Sequence, residues 1–165
     1  MIPLFLGLSA LNLLCLCTTA VLGYISMSRA SYGGVHFLVG AITVLTCCGV
    51  HCVVFTYFIA TAKWVQHAIS VKQLDPALMT PTRSFKAQAL PAALAAMAAV
   101  LITMMLGAAK DNYGISITYH HFAAIVCIAI NLAAAVIELA AIRRNGGLID
   151  RILELANAPA RVDAA

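Results

Sequence analysis

Long apolar runs separated by short polar segments recur four times along this chain. The runs cover residues 2–27, 35–63, 87–109 and 115–142. Each run is near or above the roughly 20 residues that a helix needs to cross the hydrocarbon core of a bilayer. The pattern therefore predicts an all-α integral membrane protein, in which residues 1–145 form a bundle of four transmembrane helices.

Composition agrees with a membrane-embedded chain and adds little room for anything else. Of the 165 residues, 63% are hydrophobic and only 10% are charged, which is far from the balance of a soluble domain. The six cysteines all fall within the apolar runs without forming a CxxC pair, so we interpret them as small buried hydrophobes. The chain also lacks the metalloprotease, phosphate-binding and hydrolase motifs, and we do not expect it to be an enzyme by itself.

The basic residues predict the orientation in the membrane. Most of them lie around the second loop and after the fourth run: Lys63, Lys72, Arg83, Lys86, Arg143, Arg144, Arg151 and Arg161. The other two loops hold only Arg29 and Lys110. By the positive-inside rule, both termini and the second loop are predicted to be cytoplasmic, as expected for a bacterial inner-membrane protein. The net charge of +4 is thus an orientation signal, and no nucleic-acid partner is expected.

Two segments outside the apolar runs carry their own predictions. Pro76 and Pro81 predict that no continuous helix crosses residues 65–86. The sequence Arg-Arg-Asn-Gly-Gly at residues 143–147 is typical of a helix end. The leucines and isoleucines after it are spaced for a short amphipathic helix, so residues 146–165 are predicted to be a cytoplasmic helix and tail, lying on the membrane or docked to a partner.

Histidines inside the apolar runs are the candidate functional residues, because an imidazole in a bilayer loses its hydration and turns toward a partner in the bundle. His36 and His51 lie in the second run, and His120 and His121 open the fourth. At 1.5 Å per residue, His36 lies roughly 40 Å from the basic end of its helix, His51 about 18 Å and His120 roughly 34 Å. His36 therefore matches His120 in depth, although periodicity alone does not choose between His120 and His121.

Further polar residues follow on the fourth helix. At about 100° per residue, His120, Asn131 and Glu138 fall within roughly 20° of one another. They form a polar stripe that faces the bundle, and together with His51 they outline a possible track for protons or solutes. A salt bridge between Glu138 and Lys63 is an equally simple account of the carboxylate.

Two histidines at one level on separate membrane helices can hold a haem between them through neutral ring nitrogens. The arrangement resembles the four-helix core of membrane b-type cytochromes. The resemblance implies haem b between the second and fourth helices near the outer face, with His36 and either His120 or His121 as iron ligands and quinone as a candidate redox partner. The two-haem version of that core needs a second histidine on the fourth helix, where this chain has Asn131 and alanines. His51, a secondary metal-ligand candidate, is thereby left without an expected partner.

Three functions follow as hypotheses. The first is an electron-transfer protein or the membrane subunit of a redox complex. The second is a non-catalytic accessory or scaffold subunit, which would assemble with membrane protein partners or with copies of itself. The third is a small proton or solute carrier that uses His51, Asn131 and Glu138.

Overall fold

The computed structural model describes residues 1–157, apart from the side chain of residue 111. In that part of the chain four long helices follow one another: α1 (Ile2–Ser28), α2 (Gly33–Lys72), α3 (Met79–Tyr113) and α4 (Ile117–Asn157). At 1.5 Å per residue they are roughly 40 to 61 Å long. Each contains a stretch that is long and apolar enough to cross a membrane. The predicted all-α bundle of four apolar helices is confirmed.

The helices pack as a square of alternating direction. α1 and α3 each contact both α2 and α4, and α2 also touches α4 across the centre. Short connections join α1 to α2, through a 3₁₀ turn at Ala30–Tyr32, and α3 to α4, through Gly114 with φ of 66°. Both connections lie at what we call the hairpin end. The N-terminus and the α2–α3 connection lie at the opposite end, the terminal end.

Buried positions recur every three or four residues, which is the spacing of knobs-into-holes packing in a left-handed bundle. On α4 they are Cys127, Asn131, Ala134, Glu138, Ala141, Ile142, Asn145 and Ile152. The exterior is apolar in contrast, with Phe37 75% exposed and Leu45 73% exposed. A bundle with polar groups inside and apolar side chains outside fits a lipid environment.

The helix end predicted at residues 143–147 is wrong, because α4 continues without a break to Asn157. Tertiary contacts explain the difference. The side-chain amide of Asn145 donates to the Tyr57 hydroxyl at 3.0 Å and the Thr61 hydroxyl at 3.2 Å, both on α2, and Ile152 is fully buried. These contacts outweigh the roughly 1 kcal/mol by which each glycine disfavours a helix. The part of the predicted amphipathic segment up to residue 157 therefore extends α4, and residues 158–165 lie outside the described residues.

The loop predicted across residues 65–86 is also shorter than expected. α2 runs on to Lys72, and α3 begins at Met79. Gln73 ends α2 in a left-handed conformation, and the Asp75 carboxylate accepts a hydrogen bond from the Ala77 amide at 2.8 Å. Pro81 falls in the first turn of α3, where its missing amide hydrogen leaves no helical bond broken. The predicted interruption thus exists, but it is confined to residues 73–78.

A glycine test separates a continuous α4 from one that ends at residues 143–147. A Cβ at Gly146 or Gly147 would meet no atom within 4 Å, so Gly146→Ala and Gly147→Ala should each stabilise the protein by about 0.5–1 kcal/mol, as expected inside a helix. Denaturant unfolding in detergent measures the effect. Gly114→Ala is the control, because its left-handed backbone should make the same change destabilising by about 1–2 kcal/mol. Destabilisation at residues 146 and 147 would contradict the continuous helix.

Candidate functional site

Near the hairpin end the structure brings His36 of α2 and His120 of α4 together. Their ring centroids lie 6.1 Å apart, and the ring planes are inclined by 80°. His121 points elsewhere and stacks on Tyr24 of α1, with centroids 5.5 Å apart and planes 11° from parallel. His120, rather than its neighbour, is therefore the residue that faces His36.

Each of the two facing imidazoles is held by a backbone carbonyl of an adjacent helix. Nδ1 of His36 donates to the carbonyl oxygen of Thr19 at 3.1 Å, and Nδ1 of His120 donates to that of Thr103 at 2.9 Å. Because a carbonyl oxygen only accepts hydrogen bonds, the proton of each neutral ring lies on Nδ1. Nε2 keeps its lone pair in both rings, and neither Nε2 has a hydrogen-bond partner among the described residues.

Two glycines make space for these rings. A Cβ at Gly23 of α1 would lie 3.0 Å from Cε1 of His36, and a Cβ at Gly107 of α3 would lie 3.0 Å from Cε1 of His120. Such distances are tighter than ordinary van der Waals contact, so a side chain at either position would push on the imidazole. Each histidine thus packs against bare backbone of the neighbouring helix.

The two facing histidines have equivalent surroundings. Thr19, Gly23 and His36 recur, in the same order and spacing, as Thr103, Gly107 and His120, each 84 positions later. The Thr19 hydroxyl donates to the carbonyl of Cys15, and the Thr103 hydroxyl donates to that of Ala99, again 84 positions later. The hairpin α1–α2 and the hairpin α3–α4 therefore present equivalent histidines toward a common centre.

Deeper in the bundle lies a second group of polar side chains, which we call the central polar layer: Asn12, His51, Asn131 and Glu138. The side-chain amide of Asn12 donates to Oδ1 of Asn131 at 2.9 Å, and the Cys47 thiol contacts the same oxygen at 3.3 Å. All four members of the layer are at most 4% exposed. Asn131 is thus held by α1, by α2 and by the carbonyl of Cys127 on its own helix.

Within this layer His51, which has no second ligating histidine on the fourth helix, has a carboxylate as its partner. Nδ1 of His51 and Oε1 of Glu138 lie 2.8 Å apart, and the two side chains are 2% and 1% exposed. The pair joins α2 to α4 across the centre of the bundle. Lys63, the other candidate partner of Glu138, is exposed. The partner of the carboxylate is therefore His51.

Apolar clusters separate the polar levels along the bundle axis. Toward the hairpin end, Leu16, Val100 and Cys127 come before the facing histidines. Toward the terminal end lies a second cluster, which we call the phenylalanine cluster: Phe5, Val54, Phe58, Ala89, Ala141 and Ile142. The predicted track of His51, Asn131 and Glu138 therefore lies between these two clusters.

Sequence reasoning missed the residues that hold the histidines, namely Thr19, Gly23, Thr103 and Gly107. A detectable signal was present. The pattern Thr-x₃-Gly-x₁₂-His occurs twice, 84 residues apart. A search for internal repeats would have found it.

Comparisons with protein families, with curated proteins and with solved structures gave no match for this chain. The class of protein therefore follows from its own fold and site. It is a bundle of four membrane-length helices, built from two similar hairpins, with a pair of facing histidines near one end and a buried histidine–carboxylate pair near the middle.

A double-mutant cycle tests the buried pair. His51→Ala and Glu138→Ala should be non-additive, with an interaction energy of about 0.5–3 kcal/mol, because each single change leaves a polar partner unpaired in an apolar interior. The free energy of unfolding in mixed micelles supplies the measurement. As a matched control, Lys63→Ala combined with Glu138→Ala should be additive. Additivity in the His51 cycle would show that the two side chains do not interact.

Proposed function

We propose that this chain is a membrane-embedded electron-transfer protein, or the membrane subunit of a redox complex, that binds haem b between α2 and α4. The observation that carries the proposal is the pair of facing imidazoles, His36 and His120, each fixed through Nδ1 with its Nε2 free. A hydrogen bond at Nδ1 is the usual way in which proteins orient a histidine that binds a metal through its other nitrogen.

The donor set suits haem better than a bare metal ion. The two imidazoles face each other across the bundle, with ring centroids 6.1 Å apart and planes inclined by 80°. Among the described residues, no group of three or more His, Cys, Asp or Glu side chains could hold a metal ion. Two protein ligands are sufficient only where the metal brings its other ligands with it, as haem iron does.

The residues of this chain would hold the group and control its surroundings. His36 and His120 would bind the haem iron through neutral Nε2 atoms, while the carbonyls of Thr19 and Thr103 hold the two rings in orientation. The apolar cluster of Leu16, Val100 and Cys127 separates the two histidines from water at the terminal end. When bound, haem would supply a one-electron couple. With both histidines bound to the iron, oxygen would have no site at which to bind.

The positive-inside rule supports an orientation for this site. The terminal end carries most of the basic residues, whereas the hairpin end has only Arg29 and Lys110. A bundle with its terminal end in the cytoplasm would hold haem near the outer face of the membrane. Electrons would then pass between a membrane carrier such as quinone and an acceptor on the outer side.

An accessory or scaffold subunit is the competing proposal, and one observation favours it. The same Nδ1 bonds tie α2 to α1 and α4 to α3, which is a structural task that needs no cofactor. The carrier hypothesis has less support, because apolar clusters lie on both sides of the track that it requires.

The first test is an absorption spectrum of protein purified from haem-replete cells, before and after dithionite. The wild type should show a Soret band and the reduced bands of b-type haem. His36→Ala and His120→Ala should each abolish the bis-histidine spectrum, because one axial ligand is lost. His121→Ala should keep it, since that ring stacks on Tyr24.

His67→Ala is the matched control, because this histidine is exposed and lies outside the predicted spans. Its spectrum should equal that of the wild type. A colourless wild-type preparation would falsify the haem proposal and favour the scaffold, as would normal assembly of the His36→Ala and His120→Ala proteins with an unchanged spectrum.

Orientation is tested separately with a membrane-impermeant maleimide on intact spheroplasts. Ser31→Cys at the hairpin end should react, whereas Gln73→Cys at the terminal end should react only after permeabilisation. Both positions are exposed, so accessibility within the protein does not bias the comparison. The parent protein, whose cysteines all lie within helices, gives the background, and the reverse labelling pattern would place the site at the cytoplasmic face.

A further inference from the structure

The pair of His51 and Glu138 has no task in haem binding. Fifteen residues of α2 separate His51 from His36, which corresponds to a rise of roughly 22 Å. The pair is nevertheless the most expensive polar feature to bury in the bundle, since an imidazole and a carboxyl group lie together with at most 2% exposure. Ionisable groups buried in membrane helices are rare and usually have a function.

Both members of the pair are only half satisfied. Nδ1 of His51 bonds to Oε1 of Glu138, but Nε2 of His51 and Oε2 of Glu138 are buried without a hydrogen-bond partner, as is Oδ1 of Asn12 in the same layer. Leaving a buried polar atom unpaired costs about 1–3 kcal/mol. The two open atoms of the hydrogen-bonded pair, Nε2 of His51 and Oε2 of Glu138, therefore point to a ligand that binds at the pair.

The charge balance of the interior indicates which ligand this is. Ionisable side chains are absent from the buried positions of α1 and α3 among the described residues, and the other ones buried on α2 and α4 are the thiols of Cys47 and Cys127. With Nδ1–H of His51 donated to an ionised Glu138, the pair carries one negative charge, and both open atoms are acceptors. No lysine or arginine is buried within residues 1–157 to offset that charge, whereas one added proton cancels it.

The position of the pair in the bundle favours a stored proton over a conducting path. The phenylalanine cluster lies between the central polar layer and the terminal end. Leu16 and Val100 lie between this layer and the facing histidines, His36 and His120. Inside the layer, Asn12, Asn131 and the Cys47 thiol supply further polar contacts. A proton bound here would be held between two apolar clusters.

We propose that His51 and Glu138 form a proton-binding site enclosed in the central polar layer. One proton binds at Oε2 of Glu138, and the Nδ1–H···Oε1 hydrogen bond is kept. Uptake changes the charge of the pair from −1 to zero, and release restores it. The site needs no cofactor, so it stands independently of the proposed haem.

Infrared spectroscopy of the lipid-reconstituted protein tests this site directly. The chain has only two glutamates, Glu138 and Glu154, so glutamate labelled with ¹³C in the side-chain carboxyl isolates two groups. Spectra are recorded from about pH 5 to about pH 9, which spans the raised pKa values documented for buried carboxyl groups. We expect a labelled carboxylic acid C=O band that loses intensity as the pH rises.

Variants assign the band. It should disappear in Glu138→Gln and persist in the matched control Glu154→Gln, whose side chain is exposed on the same helix. In His51→Gln the pH dependence of the band should change, because the group that donates to Oε1 of Glu138 is replaced. Thermal unfolding of each variant checks folding, and the labelled wild type gives the answer even where a variant fails to fold.

A constant band, or no band assignable to Glu138 over that range, would overturn the proposal, because the pair would then be a fixed hydrogen bond or a fixed ion pair. The haem spectrum does not enter this result. A colourless protein with a titrating Glu138 band keeps the proton site and removes the electron-transfer function. A haem protein with a constant Glu138 band keeps the electron-transfer function and removes the proton site.

Discussion

A polar group inside an apolar bundle must find its partner on another helix, and this constraint decides how the four helices fit together. Neither water nor lipid can replace a lost hydrogen bond there. The two Nδ1–carbonyl bonds join α2 to α1 and α4 to α3, and the central polar layer joins α1, α2 and α4. Axial shifts or rotations of one helix would break these bonds, so they fix the register that apolar contacts alone leave loose.

The internal repeat shows where the two halves of the molecule are alike and where they differ. The halves agree at the facing histidines, their threonines and their glycines. They differ in the central polar layer, where Asn12 corresponds to Ala96, His51 to Ala135 and Val54 to Glu138. The level of His36 and His120 is therefore symmetric, which suits the proposed haem because its two faces are equivalent. The second level is asymmetric, as a site shared between one base and one acid must be.

The proposed sites also divide the bundle by depth. The facing histidines lie near the hairpin end, and the pair of His51 and Glu138 lies near the centre. Between them lie an apolar cluster and the hydrogen-bonded hydroxyls of Thr19 and Thr43. Charge at one level acts on the other only through this low-dielectric layer, in which electrostatic effects are screened less than in water. The two proposed sites therefore lie in one low-dielectric interior, where charge at either site can influence the other.

The sequence by itself determined the membrane class, the four helices and the matched depth of His36 and His120. These follow from local quantities, namely the length of each apolar run and the fixed rise per residue of a helix. It did not determine which of two adjacent histidines faces the centre, the partner of His51, or the continuation of α4 through Gly146 and Gly147. Those features depend on how each helix is rotated and shifted against its neighbours, and the rotation is set by side-chain contacts that only the folded bundle brings together.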